Sequence, residues 1–297
     1  MLSATTLRPQ DLWKAVLGRA ASALAAGALH PIETTQSYLA DGGVEFLVRR
    51  VSSLQRKAAV PARENPFFPY EEALFVGNLS ESHCLLLNKF NVIDHHILIV
   101  TRHYEEQLSQ LSSDDFRALS ICLAAVDGLC FYNGGAAAGA SQPHKHLQLV
   151  PLPLCERGPG VPIESLLDAV CSGARIRNVP GVAFSHAVAR LDPKTSEDPA
   201  RSAEITYELY LSLLESLGMR VLRSGGEQIV RPAPFNLLLT RRWMMLVPRT
   251  RECVDGVSIN ALGFAGSLFV RDEAQLRVIE TRGPMTLLIE ASQPRIR

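Results

Sequence analysis

The segment GASQPHKHLQLVP, residues 139–151, sets His144 and His146 one residue apart and places Gln148 two positions further on. On an extended strand alternate side chains share a face. His144, His146, Gln148 and Val150 would then point one way, and Lys145, Leu147 and Leu149 the other. Two imidazoles and an amide are poor packing material, because every buried polar group needs a partner. The loop ahead of them, NGGAAAGASQ, carries little side-chain bulk, so its backbone N–H groups can come close to an anion. Ser141 and Gln142 add side-chain donors. The combination suits chemistry at phosphorus, in which donors hold phosphate oxygens while a neutral imidazole attacks.

Metal binding is the competing use of paired histidines. His144 and His146 could chelate, with His95 or His96 as further candidates. No third soft ligand stands at a telling spacing, however, and glutamine is a poor zinc ligand. The six cysteines are scattered without a C-x-x-C pair, which argues against a zinc ribbon or a disulfide framework and suits a reducing, cytoplasmic setting.

Several elements must position this strand. The spacing predicts a helix from Gln10 to about Leu29, ended by His30-Pro31. Strands are expected at EFLVRR (from Glu45), HCLLLN (from His83) and HILIVTR (from His96). Ser112 reads as the N-cap of a helix, with Asp115 three residues on, and that helix is expected to run to about Cys130. A short helix is expected near 164–170 and a strand near 182–189. A longer helix follows from about Ser202 to Leu217, then strands FNLLLT, WMMLVPR and SLFVR. An internal echo links LLLN-K…ILIVTR (Leu85 to Arg102) with LLLT-R…MMLVPR (Leu237 to Arg249). It suggests two versions of one α+β unit, with the histidines kept in the first.

Composition narrows the partners. Thirty basic and thirty acidic residues cancel, so there is no bulk electrostatic footprint for nucleic acid or an anionic membrane. No apolar run approaches a membrane-spanning length, and none follows a basic N-terminal stretch as in a secretion signal. Lysine is scarce against arginine, so Lys57, Lys89 and Lys145 draw notice where they fall near the motif.

With these residues in view, the sequence resembles the histidine-triad superfamily, and within it the diadenosine tetraphosphate phosphorylases, or ATP adenylyltransferases. The similarity lies in NPFFPYEEALFVGNLSESHCLLLNKFNVIDHHILIVTRHYEEQ (from Asn65), NGGAAAGASQPHKHLQ (from Asn133), and PFNLLLTRRWMMLVPR with INALGFAGSLFVR (ending at Arg271). The resemblance implies one α+β, histidine-triad-like domain over residues 1–297 with a mainly antiparallel sheet. Its possible halves are a catalytic unit, 40–155, and a C-terminal unit, 180–297. His146 would attack the α-phosphorus and carry the adenylyl group, Gln148 would hold the α-phosphoryl oxygens, and His144 would support the nucleophile. Lys57, Asn88, Lys89, Asn133, Ser141 and Gln142 match substrate-contacting positions, and Asn260, Ser267 and Arg271 do so more loosely. The implied partners are diadenosine tetraphosphate, ATP, ADP and phosphate. No tightly bound cofactor is implied, although a divalent cation such as magnesium can accompany the nucleotide. Ala138 and Arg271 depart from the small hydroxyl residue and the lysine of the family pattern, which bears on substrate preference. Galactose-1-phosphate uridylyltransferase-like enzymes share the H-x-H-x-Q logic but commonly place proline where Lys145 stands. A purely nucleotide-binding relative would be marked by loss of the second histidine, and His146 is present.

Overall fold

The computed structural model describes residues 6–51, 65–167, 176–219 and 233–294. Its helices are α1 (Pro9–Ala25), α2 (Ser113–Ala125), α3 (Glu164–Leu167), α4 (Pro199–Ser216), α5 (Ala261–Phe264), α6 (Glu273–Arg282) and α7 (Pro284–Ala291). The strands of the first half are β1 (Thr34–Asp41), β2 (Val44–Val51), β3 (Phe75–Asn78), β4 (His83–Leu87), β5 (Ile97–Thr101), β6 (Gly128–Gly134) and β7 (His146–Pro151). Those of the second are β8 (Ile176–Arg177), β9 (Ala187–Arg190), β10 (Phe235–Leu239), β11 (Trp243–Pro248), β12 (Cys253–Val254), β13 (Val257–Ser258) and β14 (Ser267–Val270).

Nine strands form one antiparallel sheet in the order β3-β4-β5-β7-β6-β10-β11-β9-β8. Strand alternation divides its residues between two cores. Leu147, Leu149, Leu237 and Leu239 pack with Leu12 and Val16 of α1, Phe116 and Leu119 of α2, and Leu213 of α4. On the other side Val150, Phe131, Leu238 and Met245 meet Phe46 and Val48 of β2, Leu268 of β14 and Phe264 of α5. A smaller sheet, β1-β2-β14, covers that second face, and its β2–β14 pair is parallel. The architecture is α+β with a mainly antiparallel sheet. Among the described residues no helix is long and apolar enough to cross a membrane.

Some expectations need correction. The helix after Ser112 stops at Ala125, and the stretch expected to finish it is strand β6. Every residue of β6 is buried, with Leu129 and Phe131 in one core and Cys130 and Tyr132 in the other. A run that is apolar on both sides has no period to separate strand from helix. The strand expected near 182–189 is confined to Ala187–Arg190, and α1 ends at Ala25. The echo also pairs the wrong strands. Read outward from the central β6–β10 seam, the sheet runs β6-β7-β5-β4 one way and β10-β11-β9-β8 the other. By chain order and position, β4–β5 therefore corresponds to β8–β9, and β6–β7 to β10–β11, with α2 and α4 between the respective pairs. The counterpart of the histidine strand β7 is β11.

Candidate active site

Strand β7 lies between β5 and β6, so its backbone is held from both sides. His146, at its start, is 4% exposed. Its Nδ1–H donates to the carbonyl of His144 at 2.8 Å, which leaves the Nε2 lone pair as the reactive position. Burial pushes the ring down to about 4, so the imidazole is neutral at neutral pH and able to attack an electrophile. The Phe67 ring stands 5.1 Å from it and limits access of water.

His144 fixes the His146 tautomer through its backbone carbonyl, and its own ring is engaged elsewhere. Its Nδ1–H donates to Asn65 Oδ1 at 2.8 Å, and its Nε2 accepts from the Thr101 hydroxyl at 3.0 Å. Burial pushes this ring below its usual range as well. Asn65 Oδ1 also accepts the N–H groups of Phe67 and Phe68, both at 3.1 Å, so one amide oxygen ties the aromatic loop to His144. Phe68 and Tyr104 pack against the same ring.

Gln148 is oriented by a residue that the motif does not contain. His96 Nε2–H donates to Gln148 Oε1 at 2.9 Å, and His96 Nδ1 accepts from Asn88 Nδ2 at 3.0 Å. Burial pushes His96 down to about 4, consistent with this neutral tautomer. With its oxygen engaged, Gln148 has its NH2 group left to donate to a phosphoryl oxygen. His96→Leu is therefore expected to lower kcat about 10–100-fold with little change in KM, since the amide loses its fixed orientation. His96→Gln, which restores an N–H donor, should be milder. Single-turnover rates on the three proteins check the order. His95, one residue earlier, turns away and packs edge-on against Trp13.

Two further side chains hold the strand from behind. Lys145, 1% exposed, reaches Asp115 Oδ2 on α2 at 2.6 Å and Glu105 Oε2 at 2.9 Å. Asp115 closes the predicted capping box with Ser112 and also accepts from His83 Nε2 at 2.9 Å. Gln107 fills the gap where β6 and β7 diverge. Its Oε1 accepts from His146 N at 2.8 Å and its Nε2 donates to Asn133 O at 2.9 Å. Both His96 and Gln107 escape a reading of the motif, since each lies about forty or more residues upstream of its partner, His96 just before β5 and Gln107 beside the Glu106–His144 bridge.

The Gly/Ala loop meets the second half directly. Gly139 has φ 88°, and a Cβ there would lie 2.8 Å from Asn260 Cβ and 2.9 Å from the Ile259 carbonyl oxygen. The loop closes on itself through Ala138 N to Gly135 O, Gly139 N to Ala136 O and Ala140 N to Gly135 O. The N–H groups of Ser141 and Gln142 are not used in those turns. Ser141 is exposed and Gln142 half-buried.

The remaining expected positions are dispersed. Asn133 is buried, and its Oδ1 accepts from Asn236 Nδ2 (2.8 Å) and Ala261 N (2.9 Å), joining the two halves. Asn260 caps α5 through Leu262 N. Lys89 pairs with Glu71 at 2.7 Å at the surface. Ser267 is fully buried and, by the β2–β14 register, shares a face with Leu47 and Arg49. Arg271 is exposed at the end of β14. Lys57 lies outside the described residues. Among those residues no three His, Cys, Asp or Glu side chains gather as metal ligands.

Comparison with known proteins identifies the family. Protein APA1 of Saccharomyces cerevisiae is 28% identical over 293 residues, covering 89% of this chain and 88% of that protein. Diadenosine 5',5'''-P1,P4-tetraphosphate phosphorylase 2 of the same yeast is 29% identical over 239 residues, covering 72% and 70%. The crystal structure of yeast Ap4A phosphorylase Apa2 shares the fold, with a TM-score of 0.78 at 24% identity, covering 98% of this chain and 97% of that one. Residues 180–294 match the ATP adenylyltransferase C-terminal domain, and residues 2–169 match the Ap4A phosphorylase N-terminal domain. The latter match spans more than half of the sequence, and the chain belongs to the Ap4A phosphorylase family.

Proposed function

We propose that the protein cleaves diadenosine tetraphosphate with inorganic phosphate, giving ATP and ADP. His146 Nε2 attacks the α-phosphorus of one adenylyl group, a P–N bond forms, and the P–O bond to the departing ATP breaks. Phosphate then attacks the same phosphorus, the P–N bond breaks, and ADP leaves with the neutral imidazole restored. The observation that carries this reading is the tautomer of His146, whose Nδ1–H is tied to the His144 carbonyl while Gln148 stands on the same face with its oxygen engaged. Two findings support the substrate: a yeast homologue carries the phosphorylase name, and yeast Apa2 has been crystallised with AMP and with Ap4A. A divalent cation such as magnesium would accompany the polyphosphate and neutralise part of its charge.

The test is to incubate the protein with diadenosine tetraphosphate, with and without phosphate, and identify the nucleotides. ATP and ADP should appear only with phosphate. AMP formed at the same rate whether or not phosphate is present would make the enzyme a hydrolase. Gln148→His bears on the same point. An amide cannot titrate and offers water no base, whereas an imidazole can. The AMP-to-ADP ratio should therefore rise in that variant at fixed phosphate. A flat ratio with activity retained would place water exclusion elsewhere, with Phe67 and Phe68 as the alternative.

A further inference from the structure

Arg249 directly follows β11, the strand that corresponds to β7 in the other half of the sheet, and it is 1% exposed. Its guanidinium reaches five neutral oxygens. Nε donates to Ala291 O (3.0 Å), Nη1 to Ala138 O (3.2 Å) and to Asn236 Oδ1, and Nη2 to Arg251 O (2.7 Å) and Ile259 O (2.8 Å). Hydrogen bonding is thus satisfied, but the charge is not. Among the described residues the carboxylate that acts on it is Glu252, through space, and Glu252 is itself bonded to the Ser258 hydroxyl at 2.7 Å. The Phe264 ring lies 5.0 Å from the guanidinium and offers it a cation–π contact. A buried charge is normally paired with an opposite one, and a cation held by neutral dipoles and a ring face is still costly to keep. Burial pushes the guanidinium down to about 10, as expected for an under-solvated cation.

Its place gives that cost a use. Two of its acceptors, Ala138 O and Ile259 O, are the walls that meet at Gly139, where the Gly/Ala loop touches the second half. Asn236 adds a second donor to Ala138 O at 2.9 Å, so the carbonyl is turned inward and the far side of the loop is left for a ligand. We propose that Arg249 is the fixed positive charge behind the phosphate-binding loop, and that the polyphosphate of the bound nucleotide is its counter-ion. The inference rests on the loop being the phosphate site of the proposed reaction. Arg249 does not touch the ligand. It positions the loop and draws the anion through one peptide layer, where the field is weakly screened.

The experiment measures binding across a charge series. Adenosine, AMP and ATP are titrated by calorimetry into the full-length wild type, Arg249→Met and Arg249→Lys. Loss of the charge should lower ATP affinity about tenfold or more while adenosine changes little. Arg249→Lys, which keeps the charge but not the fork, should retain most of the ATP preference. A merely structural arginine would weaken all three ligands alike, and an unchanged ATP-to-adenosine ratio in Arg249→Met overturns the proposal. If that variant does not fold, Asn236→Asp serves instead. It sets a carboxylate against the guanidinium and also removes the donors to Asn133 and Ala138; that local loss would weaken all three ligands alike, whereas neutralising the charge should lower the ATP-to-adenosine ratio. An unchanged ratio there overturns the proposal equally. The readout is affinity and not turnover, so a failed phosphorolysis assay would refute the proposed reaction and leave this result to stand or fall alone.

Discussion

His146→Ala abolishes phosphorolysis, by about 10⁴-fold or more, while nucleotide still binds: this is the result expected if the histidine carries the adenylyl group. The reason is the loss of a reaction path. Nε2 is the ring nitrogen of His146 that makes no hydrogen bond among the described residues, and no neighbouring imidazole can substitute, because the His144 ring is engaged by Asn65 and Thr101 and His96 by Gln148 and Asn88. His144→Ala should be milder, since alanine keeps the backbone carbonyl that fixes the nucleophile's tautomer. Two measurements decide the matter. Rapid quenching with mass spectrometry should trap wild-type protein carrying one adenylyl group and find none on His146→Ala. Equal losses in the two variants, with no adduct on the wild type, would sink the assignment.

The second large effect is on stability. Lys145→Met leaves Asp115 buried without its ammonium partner, and breaking such a pair costs about 3–5 kcal/mol. The low end is expected here, because His83 and Ser112 remain as donors to the carboxylate. Denaturant unfolding of the variant gives the number, and a cost below about 1 kcal/mol would mean the pair contributes little. A pH signature accompanies it. Burial alone would raise the Asp115 carboxyl, but the hydrogen bond from His83 and the charge of Lys145 bring it down to about 2 from an ordinary value of 3.8. A carboxyl depressed in the folded state contributes stability that is present above the ordinary value and is lost as pH falls toward 2. The wild type should lose stability across that window, and Lys145→Met should lose less of it.

The alternation of His144, His146 and Gln148 could be read before any coordinates, because residue types unsuited to packing recurred at a period of two. Lys145 on the opposite face followed from the same period, although nothing in the sequence named Asp115 as its partner. His96 was visible only as a possible metal ligand. Its true partner is Gln148, fifty-two residues on, and such a contact is set by the β5–β7 register and by no local pattern. The first residues of β6, Gly128 to Cys130, were read as the end of a helix because both faces of the strand are apolar. The echo of Leu85–Arg102 in Leu237–Arg249 matched hairpins that look alike in composition, whereas the correspondence between halves is written in the sheet order. Arg249 carried no signal in a chain rich in arginine. Its meaning comes from burial and from what it touches.

The two corresponding runs of strands in the sheet, β6-β7-β5-β4 and β10-β11-β9-β8, bear on how a symmetric substrate is handled. Diadenosine tetraphosphate looks the same from either end, yet the proposed products differ: one adenosine leaves in ATP and the other in ADP. A scaffold with equal nucleophiles in β7 and β11 could start from both ends of one molecule. Here β11 reads Trp243–Pro248 with no histidine, so of these two strands β7 alone supplies a nucleophile to the proposed reaction. The enzyme supplies the handedness that its substrate lacks, and whichever adenosine enters beside His146 becomes the one that leaves second.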